Sequence, residues 1–134
     1  AVKSQSAYKE EDTVVPRAAL PDLLVKVKEL GRQFGFTSVC YGHAGDGNLH
    51  VNILKGNLSD QMWKATLPQA IRLLFGHVKE LGGTISGEHG IGLVQQEYMD
   101  IVFPPIALKL MADIKRVFDP HAILNPGKII PASA

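Results

Sequence analysis

Cysteine is almost missing from this chain. Cys40 is the single one among 134 residues, so no internal disulfide can form, and a reduced, intracellular setting is the default expectation. No apolar run approaches the ~18–20 residues that a membrane-spanning helix requires, and no basic-then-apolar leader opens the chain. Neither sign of charge dominates. The 14 Lys and Arg residues face 13 Asp and Glu for a net charge of +1, which gives no basis for nucleic acid as the main partner. The His-Glu-x-x-His run of metalloproteases, the Gly-x-Ser-x-Gly elbow and the phosphate-binding Gly-x-x-x-x-Gly-Lys-Ser/Thr loop are all absent. The glycines between Gly87 and Gly92 have the wrong spacing for a dinucleotide loop. What is present is enough for a core: 46% of the residues are hydrophobic, which excludes wholesale disorder, and the length suits one ordinary domain. The chain opens on Ala1 rather than Met, so a processed product or a piece of a longer polypeptide is expected.

Hydrophobic periodicity orders the rest. Residues 1–11 read as a polar lead-in, and Asp12 to Val15 as a short β-prone run stopped by Pro16. Leu20, Leu23, Leu24, Val27 and Leu30 recur at helical spacing, with Pro21 in the first turn and Gly35 at the stop. Thr37–His43 reads as a strand, Ala44–Gly47 as a turn, and Asn48–Leu54 as the return strand. In that strand Leu49, Val51 and Ile53 face one way and Asn48, His50 and Asn52 the other. Ser59 or Asp60 caps a helix running to about Leu81, with Pro68 a possible break. Thr84–Ser86 is a last short strand.

The order over residues 12–86 is therefore β-α-β-β-α-β. That predicts an α+β fold of ferredoxin-like plan, an antiparallel sheet with two helices on one face. Residues 87–134 form a helical C-terminal extension, with a short helix over Gly90–Met99 and a second over Pro105–Phe118. Met62, Met99 and Met111 read as core or helix residues, and Cys40 as a small buried filler.

Two segments carry candidate chemistry. In the first, a turn centred on Gly45-Asp46 sets His43 opposite Asn48 and diagonal to His50. Diagonal neighbours lie ~7–8 Å apart at their backbones, within reach of one shared ion. A lone His on a sheet is most often a half-exposed surface residue; two His with Asn48 and Asn52 on one face favour a site. In the second, Glu88 and His89 adjoin at a strand end between glycines, where loops commonly display catalytic groups. Glu88 offers a hard oxygen ligand and His89 a base for near-neutral pH. Neighbours on an extended chain diverge, so the two should not serve the same ion. Two His plus one carboxylate with open positions is the pattern of a catalytic divalent metal.

Three stretches then become recognisable: Gly42-His43-Ala44-Gly45-Asp46-Gly47-Asn48-Leu49-His50, Ser86-Gly87-Glu88-His89-Gly90-Ile91-Gly92, and Asp119-Pro120 through Leu124-Asn125-Pro126-Gly127-Lys128. In this order they resemble the C-terminal domain of FAD-linked oxidases, the relatives of D-lactate dehydrogenase, glycolate oxidase and D-2-hydroxyglutarate dehydrogenase. The opening Glu11 to Arg17 and Leu20-Pro21 also look like this family.

The resemblance implies that His43, His50 and Glu88 bind zinc or manganese, that His89 takes the substrate hydroxyl proton, that Asn52 holds the substrate, and that Asn125 lies toward the flavin. It implies a flavin-dependent 2-hydroxy acid oxidoreductase whose FAD is bound mainly by a further N-terminal domain, with the C-terminal extension packing toward that domain. An iron-sulfur or quinone partner would accept the electrons. This chain is then expected to be a fragment cut inside the substrate domain, inactive and colourless alone, prone to self-association, and cytoplasmic or, in the parent enzyme, peripheral to the membrane. Rival readings are a stand-alone ferredoxin-like metal- or small-ligand-binding regulatory module, and a metal-dependent hydrolase in which His89 activates water.

Overall fold

The computed structural model describes residues 6–131. The chain divides into two compact units, Ala1–His89 and Gly90–Ala134. The first contains β1 (Tyr8–Val14), α1 (Leu20–Phe34), β2 (Thr37–His43), β3 (Asn48–Leu54), α2 (Asp60–Glu80) and β4 (Thr84–Ile85). The expected α+β class, with a four-stranded antiparallel sheet, is what the structure has. The strands lie in the order β2-β3-β1-β4, and every adjacent pair is antiparallel.

The helices form where the periodicity places them. Leu23, Val27 and Leu30 are the buried stripe of α1, and Gly35 closes it in the left-handed conformation at φ +76°. Of the five apolar residues expected on that stripe, Leu24 is turned outward. Ser59 caps α2 by accepting the Met62 backbone N–H at 3.2 Å. Pro68 does not break α2, which continues to Glu80. All the buried residues of α2, Ala70, Ile71, Leu74, Phe75 and Val78, follow the proline, so packing outweighs the one lost backbone hydrogen bond. Val51 and Ile53 of β3 meet Val27, Leu30, Ala70 and Leu74 of the helices. The opposite face of the sheet thus carries the alternate residues, Asn48, His50 and Asn52.

Two boundaries differ from expectation. β1 begins at Tyr8, so residues 8–11 of the expected lead-in belong to the sheet, while residues 1–5 lie outside the described part. Lys9, Glu10 and Glu11 have little β-propensity, but β1 pairs with β3 along its whole length, from Tyr8 opposite Leu54 to Val14 opposite Asn48. The helix expected over Gly90–Met99 is mostly loop. Gly90 and Gly92 both take positive φ, +77° and +54°, and only a 3₁₀ turn at Gln96–Tyr98 precedes the short α3 (Met99–Val102). Met62 is half exposed, whereas Met99 is buried.

In the second unit α4 (Pro105–Phe118) ends at Asp119. The Asp119 carboxylate accepts the backbone N–H groups of Ile123 at 2.9 Å and Leu124 at 3.1 Å, and pairs with Lys115 Nζ at 2.6 Å. The Lys115 contact foremost, with those two backbone bonds, holds the Asp119 carboxyl below the usual aspartate range. The end of this unit returns to its start, Ile129 N–H donating to Gly92 O at 2.7 Å and Gln96 Nε2 to Ile130 O. No helix among the described residues is long and apolar enough to cross a membrane.

Candidate metal and substrate site

Sheet register assembles the site. His43 pairs with Asn48 and Tyr41 with His50 across β2 and β3. Asp12 pairs with His50 and Glu10 with Asn52 across β1 and β3. All seven of these side chains therefore project from one face. The segment after β4 reaches the same place. Ser86 turns the chain at φ +63°, and its backbone N–H donates to Asp12 O at 2.9 Å. Gly87 lies so close to Asn48 Nδ2 and Val14 Cγ2 that a β-carbon there would collide with both.

His43 Nε2 stands 3.3 Å from Glu88 Oε1, and His50 Nε2 stands 3.8 Å from Glu88 Oε2. One ligand atom from each of His43, His50 and Glu88 lies within 4.8 Å of the other two. Zinc with ligands at ~2.0–2.2 Å spaces tetrahedral donors roughly 3.4 Å apart, so small rotations of these side chains would admit a divalent ion. His89 stacks on His50 with ring centroids 4.7 Å apart and planes 16° from parallel. It groups with His50 and Glu10 rather than with Glu88, as expected of neighbours that diverge. Asn52 is 1% exposed, and neither atom of its side-chain amide has a hydrogen-bond partner among the described residues. A buried, unpartnered amide is costly and points to a ligand that would satisfy it. Asn125 sits in an exposed turn of the second unit at φ +46°.

The residue that sequence reasoning missed is Asp12. It is fully buried. Its Oδ2 accepts the backbone N–H groups of Glu88 at 2.7 Å and His89 at 2.9 Å. Its Oδ1 accepts from Asn48 Nδ2 at 2.6 Å and faces His50 Nδ1 at 3.6 Å. Burial pushes this carboxyl up, but the bonds from His89, Glu88 and Asn48 outweigh that, and the net displacement is downward. An ionised Asp12 thus ties His50 of β3 to the loop that carries Glu88 and His89. Its only signal in the sequence was alternation along β1, which needs the β1–β3 register to acquire meaning. Cys40 is half-buried, and burial pushes its thiol up, which suits a filler rather than a nucleophile.

The fold and the site define an α+β domain that displays two imidazoles, a carboxylate and a third, stacked imidazole on the sheet face away from its helices. Over residues 1–129 the chain matches the family described as FAD linked oxidases, C-terminal domain, and it belongs to that family. It is 35% identical over 130 residues to a D-lactate dehydrogenase of Anaerostipes hadrus, covering 96% of this chain and 27% of that protein. It is 39% identical over 132 residues to a D-2-hydroxyglutarate dehydrogenase of Xanthomonas citri pv. viticola, covering 96% of this chain and 28% of that protein. A glycolate oxidase subunit of Bacillus subtilis is 34% identical over 125 residues, covering 92% of this chain and 26% of that protein. The chain thus spans little more than a quarter of the length of these relatives.

Proposed function

We propose that this chain supplies the metal, substrate-binding and general-base residues of a flavin-dependent 2-hydroxy acid dehydrogenase or oxidase acting on D-lactate, glycolate or a similar acid. The observation that carries the reading is the convergence of His43, His50 and Glu88, with His89 stacked on His50 and the unpartnered Asn52 amide on the same face. Zinc or manganese held by His43, His50 and Glu88 supplies a Lewis acid that lowers the pKa of an α-hydroxyl group. FAD, bound mainly by another part of a longer polypeptide and reached from this chain by Asn125, supplies the two-electron acceptor.

The work of this chain's own residues follows from their placement. Asn52 donates to and accepts from the substrate, orienting it. His89 takes the hydroxyl proton on its imidazole, which is suited to transfer near neutral pH. Asp12 keeps His50 and the Glu88–His89 backbone in register, so the base and the ligands hold a common frame. The C-terminal unit would pack toward the flavin-binding part, an iron-sulfur or quinone partner would take the electrons onward, and a cytoplasmic site is proposed.

The test is metal analysis of the 134-residue chain together with flavin-reduction kinetics of the longer polypeptide that carries it. His43→Ala is expected to lose metal and turnover together. His89→Ala is expected to keep its metal while turnover falls ~10²–10⁴-fold. If His89→Ala empties the site while His43→Ala leaves it filled, the roles are reversed.

A further inference from the structure

Tyr41 touches the candidate metal cluster but has no part in the chemistry proposed above. It stands directly across from His50 on the neighbouring strand and is 48% exposed. His50 is 5% exposed, yet no hydrogen bond fixes its ring. Its Nδ1 has no hydrogen-bond partner among the described residues. Asp12 Oδ1 faces Nδ1 at 3.6 Å and Glu88 Oε2 faces Nε2 at 3.8 Å, both longer than a hydrogen bond. An imidazole turns readily about its second side-chain torsion, so packing has to select the rotation.

Three rings surround it. His89 stacks on His50 with centroids 4.7 Å apart, His43 meets it edge-on at 6.2 Å, and Tyr41 lies against it at 5.2 Å with the planes tilted by 43°. All three distances fall in the range at which aromatic rings attract, ~4.5–7 Å. Among the described residues no ring contact joins Tyr41 to His89, so these two approach His50 from different sides. The proposed reading sets His43 to bind an ion and His89 to take a proton. Tyr41 has neither task, and its far end is tied down: the hydroxyl donates to Glu10 Oε1 at 2.7 Å. Because β3 lies between β2 and β1 and Glu10 stands across from Asn52, the phenol spans β3 between the positions of His50 and Asn52.

On the reading proposed above, we infer that Tyr41 is a positioning residue: its ring holds the His50 imidazole in the rotation that turns Nε2 toward Glu88, and its hydroxyl, bonded to Glu10, keeps that ring in place. A ligand oriented before the ion arrives loses less freedom on binding. Groups that orient metal-binding histidines typically account for about 10–100-fold in metal affinity. Ring packing does here what a hydrogen bond to the second ring nitrogen commonly does.

The experiment measures the Zn²⁺ affinity of the 134-residue chain by competition with a chromophoric chelator, for the wild type, Tyr41→Phe and Tyr41→Leu. It also records the His50 ring-proton shifts of each metal-free protein by NMR. Tyr41→Leu removes the ring and should bind Zn²⁺ roughly 10-fold more weakly, while the His50 shifts lose the ring-current contribution of the phenol. Tyr41→Phe keeps the ring and loses only its anchor, so its affinity should lie between the other two and its His50 shifts near those of the wild type. The shifts, read on folded protein, separate loss of the clamp from loss of the fold. Wild-type affinity in Tyr41→Leu, or equal weakening in Tyr41→Phe and Tyr41→Leu, overturns the inference and leaves the metal reading standing. Failure of the wild-type chain to bind Zn²⁺ overturns that reading, and the inference with it.

Discussion

Asp12 is the residue that joins the strand and loop parts of the candidate site. Its two carboxylate oxygens receive two backbone N–H groups and one side-chain amide, and one of them faces the His50 imidazole. Carboxylates that orient metal-binding histidines typically account for 10–100-fold in metal affinity. Asp12→Asn, which preserves shape but exchanges one acceptor for a donor aimed at backbone N–H groups, should lower Zn²⁺ or Mn²⁺ affinity by about that factor. Competition with a chelator of known affinity measures it, and wild-type affinity in the variant would refute the role. The diagonal placement of His43 and His50 was legible in advance, because a four-residue turn fixes cross-strand neighbours. Glu10 and Asp12 were not, because β1 meets β3 only through long-range pairing.

At the scale of elements, the site depends on the close approach of the segment after β4 to the β1–β3 pair. Gly87→Ala would drive a methyl group into Asn48 and Val14 and displace the Glu88 and His89 that follow. Metal content should fall sharply in that variant while far-ultraviolet circular dichroism stays native, since the helices pack on the other face. The helix layer can be tested separately. Phe75 is fully buried, and Phe75→Ala should cost ~3–5 kcal/mol in denaturant unfolding.

The end of α4 carries a pH signature. The Asp119 carboxyl is held low by Lys115 and by the Ile123 and Leu124 backbone, so its contribution is complete above the unfolded aspartate value of ~3.9. It is lost as pH falls through the lower folded value. Hydrogen exchange at the Ile123 and Leu124 amides should quicken over that acid range and become pH-insensitive there, apart from intrinsic chemistry, in Asp119→Asn.

For the whole molecule, the second unit shows an apolar stripe. Ile106, Leu110, Ile114, Val117 and Phe118 of α4 are each more than half exposed and recur at helical spacing. Contiguous exposed apolar surface tends to find a partner. The 134-residue chain alone should therefore self-associate at tens of micromolar in sedimentation velocity, and Leu110→Glu with Val117→Glu should shift it toward monomer. A monodisperse wild-type monomer at high micromolar concentration would contradict this.

By itself the sequence determined the elements with strong local signals: the buried stripe of α1, the β2–β3 hairpin with its His43–Asn48 pairing, the Ser59 cap, and the alternation that sets His50 and Asn52 apart from Val51 and Ile53. Each follows from contacts a few residues apart, where period and turn chemistry act directly. Tertiary structure alone decided the early start of β1, the passage of α2 through Pro68, the loop that replaced a helix after Gly90, and the gathering of Glu10, Asp12, Glu88 and His89 around His50 and Asn52. Those outcomes rest on contacts between residues distant along the chain, such as Asp12 with Glu88 and His89. No local pattern encodes such contacts, because their free energy appears only when the sheet brings both partners together.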